Sequence, residues 1–311
     1  MDESDITHNP RATLIIGCGY LGKQLARQLL TCNPDQPIFA AVRSQISARS
    51  LVPLGLRPLL LDVTQPLTLA AARAVLEPYQ LDIYYMIPPG RKNAHPGPKQ
   101  TVIGGIINTL NLLRELDIRK AILISSSAVY GQSENEIVSA DTPPEPNNEK
   151  AKLLLEGEQL WLNHDYNYYV LRLAGLFGPK RVVGLSAISS GAPVVGNPNA
   201  MLNLIHVEDA ASLLIAIIQS QTAGHIELGI GPPPLTRHNY YNMLAEMINV
   251  PAPKLLNDEA AAKQFDLNLG RLQRTSSKQL DNTITRERTG WSPVHIDLRT
   301  SIHNILSQSR K

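Results

Sequence analysis

Short apolar segments alternate along the chain with longer segments in which apolar residues recur every three or four positions. The first apolar run, residues 12–16, precedes leucines at Leu21, Leu25 and Leu29, a spacing typical of an amphipathic helix. Each short run is almost continuously apolar, which indicates strands buried on both faces in a parallel sheet covered by helices. The predicted strands lie at 12–16, 38–42, 59–61, 83–87, 121–124 and 169–173, and the predicted helices at 21–30, 102–113, 150–162, 209–219 and 240–248.

Composition excludes several classes of protein. The 311 residues are 43% hydrophobic and 18% charged, as in globular proteins rather than disordered ones. A net charge of +2 does not favour nucleic acid or an anionic membrane as a partner. Cys18 and Cys32 are too few for a disulfide framework. Without a long apolar run or a basic leader, we expect no membrane span and a cytosolic location.

A glycine motif joins the first predicted strand to the first predicted helix. The pattern Gly17-x-Gly19-x-x-Gly22 suits a dinucleotide: Gly17 permits the tight turn, Gly19 admits the pyrophosphate, and Gly22 lets the helix approach the strand. The helix N-terminus would then face the phosphates. A turn without a ligand is the alternative. A triphosphate P-loop is excluded, since Gln24 follows Gly22-Lys23.

The end of the second predicted strand bears on the choice between NAD and NADP. Dinucleotide sites specific for NAD place an acid there, whereas this chain has Val42-Arg43-Ser44. A guanidinium can pair with a 2′-phosphate, and the Ser44 hydroxyl would add a donor. We therefore expect NADP, with NAD left open. A solvated arginine is the alternative for Arg43.

These segments together resemble the extended short-chain dehydrogenase/reductase superfamily, in its epimerase/dehydratase group. The spacing Gly-x-Gly-x-x-Gly departs from the usual Gly-x-x-Gly-x-x-Gly of that group and indicates an atypical branch. The resemblance covers nearly the whole chain. Its matching segments are residues 60–63, 124–131, 171–179, 203–210, 276–278 and 290–293.

The resemblance implies a Rossmann-type α/β fold, a doubly wound parallel sheet with a small interleaved C-terminal substrate lobe. Residues 1–178 would be mainly the NAD(P)-binding domain and 179–311 mainly the lobe, with 203–230 returning to the sheet. A homodimer through the helices within 102–116 and 150–162 is also implied. The predicted cofactor-binding residues are Gly17, Gly19, Tyr20, Leu21, Gly22, Arg43, Ser44, Asp62, Val63, Pro88, Pro89, Ser125 and Leu173.

The catalytic pattern of the family is incomplete in this chain. Ser126 takes the position of the catalytic hydroxyl, four residues before Tyr130. The family's Tyr-x-x-x-Lys pair would fall near Glu149 and Leu153, and no tyrosine in the chain precedes a lysine by four residues. Glu149 is a candidate general acid if burial raises its pKa. The alternative is a solvated acid that the helix dipole favours in a first turn.

Other residues carry weaker indications. The eight histidines are scattered along the sequence, so we expect no metal site, and His206 and Trp291 are interpreted as packing residues. Basic residues of the lobe are candidates for holding substrate phosphates, or are ordinary surface charges. They are Lys180, Arg181, Arg271, Arg274, Arg286 and Arg288.

Three hypotheses of function follow. The first is an NADP-favouring oxidoreductase or epimerase/dehydratase-like enzyme acting on a small or nucleotide-linked substrate. The second is a dinucleotide-binding sensor without turnover, which the missing Tyr-x-x-x-Lys pair favours. The third is a scaffold whose site binds nothing.

Overall fold

Strands and helices alternate along the first half of the chain. A computed structural model describes residues 9–90, 95–165, 167–257, 263 and 277–308. The strands are β1 (Arg11–Ile16), β2 (Ile38–Val42), β3 (Arg57–Leu60), β4 (Gln80–Tyr85), β5 (Asp117–Ser126), β6 (Glu136–Val138), β7 (Tyr168–Leu173), β8 (Gly175–Phe177), β9 (Val194–Val195), β10 (Met201–Leu202), β11 (Leu204–His206), β12 (Ile226–Gly229), β13 (Leu235–Thr236), β14 (Leu255–Leu256) and β15 (Lys278–Leu280). The helices are α1 (Tyr20–Cys32), α2 (Gln45–Arg49), α3 (Pro66–Leu76), α4 (Gly105–Leu113), α5 (Glu149–Leu162), α6 (Leu185–Ser189), α7 (Val207–Gln219), α8 (Arg237–Met247), α9 (Thr283–Thr289) and α10 (Leu298–Gln308).

Seven strands form the central sheet in the order β12-β7-β5-β4-β1-β2-β3. Strand β1 pairs in parallel with β2 on one side and with β4 on the other, and the β2·β3 and β4·β5 pairs are parallel too. Leu14, Ile15 and Ile16 of β1 have no exposed surface, as expected for a strand covered on both faces. The predicted Rossmann-type fold is confirmed. The strand order reverses beside β1, where open α/β sheets bind their ligands.

Helix α3 and the start of α4 differ from the prediction. Helix α3 was not predicted, because its exposed Leu67 and its alanines obscure the helical spacing of its buried residues, Leu69, Ala72 and Leu76. The helix expected over 102–113 starts as a π-helical turn, Gln100–Gly104, before α4. A Cβ at Gly105 would lie 2.7 Å from a Val63 methyl group, so glycine is needed where α4 begins.

The chain divides into two compact units. The first contains the chain up to Ser126 with Asn148–Arg172 and Ala211–Glu227, and the second contains Ser127–Asn147, Leu173–Ala210 and the chain from Leu228. Each unit has its own hydrophobic core. The core of the first includes residues of β1, β4 and α4, and that of the second includes residues of α8 and α10. The boundary predicted near residue 178 stays a prediction.

Candidate functional site

The glycine turn links β1 to α1. Gly17 has φ of +87°, a left-handed conformation that favours glycine, and a Cβ there would lie 2.9 Å from the Ile87 Cδ1 atom. The N–H groups of Gly17 and Cys18 both donate to the carbonyl of Ala41, which ties the turn to β2. The turn therefore depends on glycine at position 17.

The other two glycines face different surroundings. A Cβ on Gly22 would lie 3.1 Å from Ile15 Cγ2, so this glycine permits α1 to pack closely on β1. A Cβ on Gly19 would approach no atom closer than the Gly17 carbonyl oxygen, at 3.8 Å. Gly19 thus opens onto free space at the start of α1. The first turn of α1 contains no acidic residue.

A cleft of about 800 Å³ in the first unit lies beside this turn. It brings together residues from the ends of β1, β2 and β4 and from the segment after β3. The predicted cofactor residues that line it are Gly17, Gly19, Arg43, Ser44, Asp62, Val63 and Pro88.

The remaining predicted cofactor residues are not among those lining the cleft. Leu21 and Gly22 are buried within α1, Ser125 is buried near the end of β5, and Leu173 ends β7 in the second unit. Tyr20 begins α1, and Pro89 follows the lining residue Pro88. Their roles stay predictions.

Several lining residues were missed by the sequence analysis. Cys18, Ser47, Thr64 and Ile87 belong to this group, as does the segment around His95 and Pro96. Cys18, Thr64 and Ile87 adjoin predicted residues in the sequence, so the ends of the parallel strands were the available signal. Nothing in the sequence pattern indicated the segment at 95–96, because it is brought to the cleft only by the fold.

Arg43 is exposed at the end of β2 and makes no hydrogen bond or ion pair with the described part of the chain. Ser44, by contrast, caps α2: its hydroxyl accepts the Ser47 N–H at 3.2 Å and donates to the Ser47 Oγ atom at 2.9 Å. The donor expected at Ser44 is therefore used within the protein. Ser47, which also lines the cleft, accepts that bond and keeps its own hydroxyl hydrogen for another partner.

Asp62 shapes the segment after β3. Its Oδ1 atom accepts hydrogen bonds from the N–H of Thr64 at 2.9 Å and from the Thr64 hydroxyl at 2.7 Å. The neighbouring Val63 carbonyl accepts a bond from the Asn108 side chain at 2.8 Å. These contacts hold the lining residues Asp62, Val63 and Thr64, where the resemblance places the adenine.

A buried polar network lies at the end of β5. The Ser125 hydroxyl donates to the Glu158 carboxylate, which also accepts hydrogen bonds from Nε and Nη2 of the Arg172 guanidinium. Glu158 and Arg172 are 1% and 2% exposed. Ser125 is therefore held by protein groups, and Ser126, the last residue of β5, is half-buried.

Glu149 does not meet the condition set for a general acid. It begins α5 with a side chain that is 92% exposed and forms an ion pair with Lys152 at 3.1 Å. The burial on which its role as a general acid depends is absent. Its contacts are those of a solvated acid in a first helical turn.

Segments that carry the resemblance meet in the second unit. The Lys278 ammonium donates to the Tyr130 carbonyl at 2.5 Å, and the Asn203 side chain bonds the Lys278 carbonyl and the Leu280 N–H. Burial lowers the pKa of Lys278 to about 8. Trp291 is 6% exposed, as expected for a packing residue.

The candidate phosphate-binding arginines of the second unit have protein partners. Arg181 donates to the Leu176 carbonyl at 3.1 Å, Arg286 to the Ser292 hydroxyl at 3.4 Å, and Arg288 pairs with Asp141 at 2.9 Å. Arg271, Arg274 and Ser276 lie outside the described residues.

Comparison with known proteins identifies the family. The sequence model of the NAD dependent epimerase/dehydratase family matches residues 13–229. The chain therefore belongs to this family, and its fold and glycine turn define it as an atypical extended short-chain dehydrogenase/reductase. Among the helices that the structure describes, none has the length and apolar character needed to cross a membrane.

Individual relatives are similar over different lengths. Protein YeeZ of Escherichia coli K12 is 30% identical over 148 residues, 47% of this chain, and the chain spans about half (52%) of the length of that relative. A Methylobacillus flagellatus structure, proposed to be an NAD-dependent epimerase/dehydratase, is 25% identical with a TM-score of 0.71 over 97% of this chain and 99% of its own. The UDP-glucuronic acid 4-epimerase of Bacillus cereus, in complex with NAD, is 17% identical with a TM-score of 0.74 over 96% and 100% of the two chains.

Proposed function

We propose that this protein binds NADP(H) in preference to NAD(H) in the cleft of the first unit, as an atypical oxidoreductase or epimerase/dehydratase-like enzyme. The observation that carries the preference is Arg43, which lines the cleft without a partner among the described residues. A guanidinium pairs well with a phosphate, and the Ser47 hydroxyl beside it is a second donor. The end of β2 offers no carboxylate for a ribose 2′-hydroxyl.

The residues present fit the rest of a dinucleotide. The open space at Gly19 and the acid-free first turn of α1 suit a pyrophosphate, which favours a helix N-terminus. Asp62 and Val63 would lie beside the adenine, and Pro88 would border the cofactor. When bound, the nicotinamide supplies hydride transfer.

For turnover, we assign the substrate contact to the Ser126 hydroxyl at the end of β5. The proposed substrate is a small molecule or a nucleotide-linked one, in line with the nucleotide sugar named for the Bacillus cereus relative. Because Glu149 is exposed, we assign the proton transfer that accompanies hydride transfer to a substrate group or to water. The homodimer and the cytosolic location stay predictions.

The second candidate is a dinucleotide-binding sensor without turnover. It is favoured by the missing Tyr-x-x-x-Lys pair together with the exposure of Glu149, because positioned acid–base groups contribute about 10²–10⁴-fold to rate. Both candidate functions require cofactor binding in the same cleft, so they differ only in whether the protein catalyses a reaction.

Fluorescence titration with NADPH and NADH tests cofactor binding. NADPH should bind more tightly than NADH, and Arg43→Gln should weaken NADPH by about 10- to 100-fold, the worth of one charge-assisted contact, with little change for NADH. The matched control is Arg49→Gln, which changes an exposed arginine at the other end of α2 and should leave both affinities unchanged. Equal weakening by both variants would remove Arg43 from cofactor selection.

A turnover assay separates the two candidates. Cofactor oxidation or reduction and conversion of the substrate itself should both be followed with a panel of carbonyl compounds and nucleotide sugars, because an epimerase or dehydratase regenerates its cofactor. The assay uses wild type, Ser126→Ala and Glu149→Gln. The enzyme predicts turnover that Ser126→Ala reduces at least about 100-fold and Glu149→Gln leaves unchanged. Tight cofactor binding without turnover of any substrate, accompanied by a conformational change, would support the sensor.

A further inference from the structure

Three metal-ligand side chains come together in the second unit. His206 ends β11, Glu208 lies in the first turn of α7, and His295 lies in the segment before α10. One ligand atom of each lies within 4.8 Å of the other two. His295 is 87 residues from Glu208, so spacing along the chain did not indicate this cluster.

Two of the three distances between ligand atoms in the cluster bracket the separation of ligands around one metal ion. The Glu208 Oε2 atom lies 3.0 Å from His295 Nε2 and 3.9 Å from His206 Nδ1. Two ligands bound tetrahedrally to zinc at about 2.0–2.1 Å are separated by roughly 3.3 Å. Binding of all three atoms to one ion would require side-chain movement that separates the His206 and His295 rings, whose centroids lie 3.7 Å apart with planes at 33°. The Glu208 N–H contacts the Nδ1 atom of His206 at a long 3.3 Å, and an ion at Nδ1 would replace that contact.

The backbone around the cluster is firmly held. The Asp209 carboxylate, 1% exposed, accepts the N–H groups of Val294 at 2.9 Å and His295 at 3.0 Å. The His206 ring packs edge-on against Phe177, with ring centroids 5.1 Å apart. These contacts hold the backbone that carries His295 and restrict the orientation of the His206 ring. Residues that are already held in place lose less conformational entropy when an ion binds.

One side of the cluster is accessible. The His206 side chain is 4% exposed, whereas those of His295 and Glu208 are 26% and 46% exposed. Two imidazoles and one carboxylate are the donor set of zinc sites that keep a fourth position open. The burial of His206 limits the site to one approach, from the side of Glu208 and His295.

We propose that His206, Glu208 and His295 bind a divalent transition-metal ion of the zinc type, with the fourth position open to water or to a small anionic ligand. Imidazole and carboxylate donors favour zinc, nickel or cobalt over magnesium or calcium, which prefer oxygen donors alone. None of the three residues is among those that line the cofactor cleft, so this proposal does not depend on the cofactor proposal.

Metal titration of the full-length, tag-free protein tests the proposal. The protein is first treated with a chelator and dialysed, and Co²⁺ is then added while the visible absorption of tetrahedral cobalt is recorded. Zn²⁺ affinity is measured by competition with a chromophoric chelator. We expect one equivalent of either ion to bind, and Glu208→Gln and His295→Gln each to weaken Zn²⁺ more than about tenfold.

The controls separate a site-specific loss from misfolding. His303→Gln changes an exposed histidine of α10 and should bind both ions as the wild type does. The two test variants alter accessible side chains and are preferred to the buried His206, and their denaturation curves without metal should match those of the wild type. The proposal would be overturned if the wild type did not bind one equivalent of metal ion, or if Glu208→Gln and His295→Gln bound the ion as tightly as the wild type. The cluster would then be only a hydrogen-bonded His–Glu pair.

Discussion

The Arg172 guanidinium donates to the Glu158 carboxylate through Nε at 3.0 Å and through Nη2 at 2.7 Å, with both side chains almost fully buried. The same carboxylate accepts the Ser125 hydroxyl. One ion pair thereby links α5, β7 and the end of β5, the strand whose last residue, Ser126, is proposed to contact substrate.

Replacing one partner of this pair should be costly. Glu158→Gln leaves a buried guanidinium without its counter-charge, and we expect a loss of about 3–5 kcal/mol in the free energy of unfolding. Urea denaturation measures the loss, with Glu156→Gln as the control because Glu156 lies exposed on the same helix. A loss below about 1 kcal/mol for Glu158→Gln would show that water or a neighbouring group compensates the charge.

Substitutions at two glycines of the turn should affect protein stability and cofactor binding separately. Gly17→Ala introduces a side chain at φ of +87° and against Ile87, and should destabilise the protein by more than about 1 kcal/mol. Gly19→Ala projects into open space and should change stability little while reducing NADPH affinity. Thermal unfolding and fluorescence titration of both variants test this. Unchanged NADPH affinity in Gly19→Ala would contradict the placement of the pyrophosphate.

The two cysteines should differ in reactivity. Burial raises the pKa of the Cys18 thiol to about 11, so at pH 8 about one thiol in a thousand is the reactive thiolate. Cys32 is exposed at the end of α1. Iodoacetamide at pH 8 should therefore alkylate Cys32 first, and peptide mass spectrometry reads out the site. Comparable labelling of Cys18 in the folded protein would mean that the turn opens readily.

Lys278 makes the stability of the protein depend on pH. Its pKa is about 8 in the folded protein against 10.5 for an unperturbed lysine, so between these values the unfolded chain binds the additional proton. The contribution of Lys278 to the free energy of unfolding therefore rises as pH increases from 8 towards 10.5, by at most about 3 kcal/mol. The cost of keeping a charged ammonium buried is fully present below pH 8.

Paired unfolding curves at pH 7.5 and 9.5 isolate this effect. The stability of the wild type relative to Lys278→Met should increase with pH, because methionine cannot titrate. The exposed Lys254→Met should show a difference that does not change with pH. A wild-type advantage over Lys278→Met that falls with rising pH would reverse the sign and refute the lowered pKa.

Much of the cleft beside the glycine turn follows from local sequence. In a parallel sheet the carboxyl ends of neighbouring strands meet at one edge, so residues directly after apolar runs could be assigned to one cleft. Gly17 and Arg43 directly follow apolar runs, Asp62 was assigned through the family resemblance, and all three line the cleft. The hydrogen bonding at Ser44 could not be foreseen, because it depends on whether the short helix α2 begins there.

Sequence alone determined the fold class of this protein. A strand buried on both faces has a continuous apolar run in the sequence, an amphipathic helix has apolar residues at a 3.6-residue period, and a left-handed turn has a glycine. All three signals are local in the sequence. Tertiary structure decided which distant polar groups meet. Three features depend on how elements far apart in the chain pack: the exposure of Glu149, the pairing of Glu158 with Arg172, and the approach of His295 to His206 and Glu208. This packing cannot be predicted from a local period in the sequence.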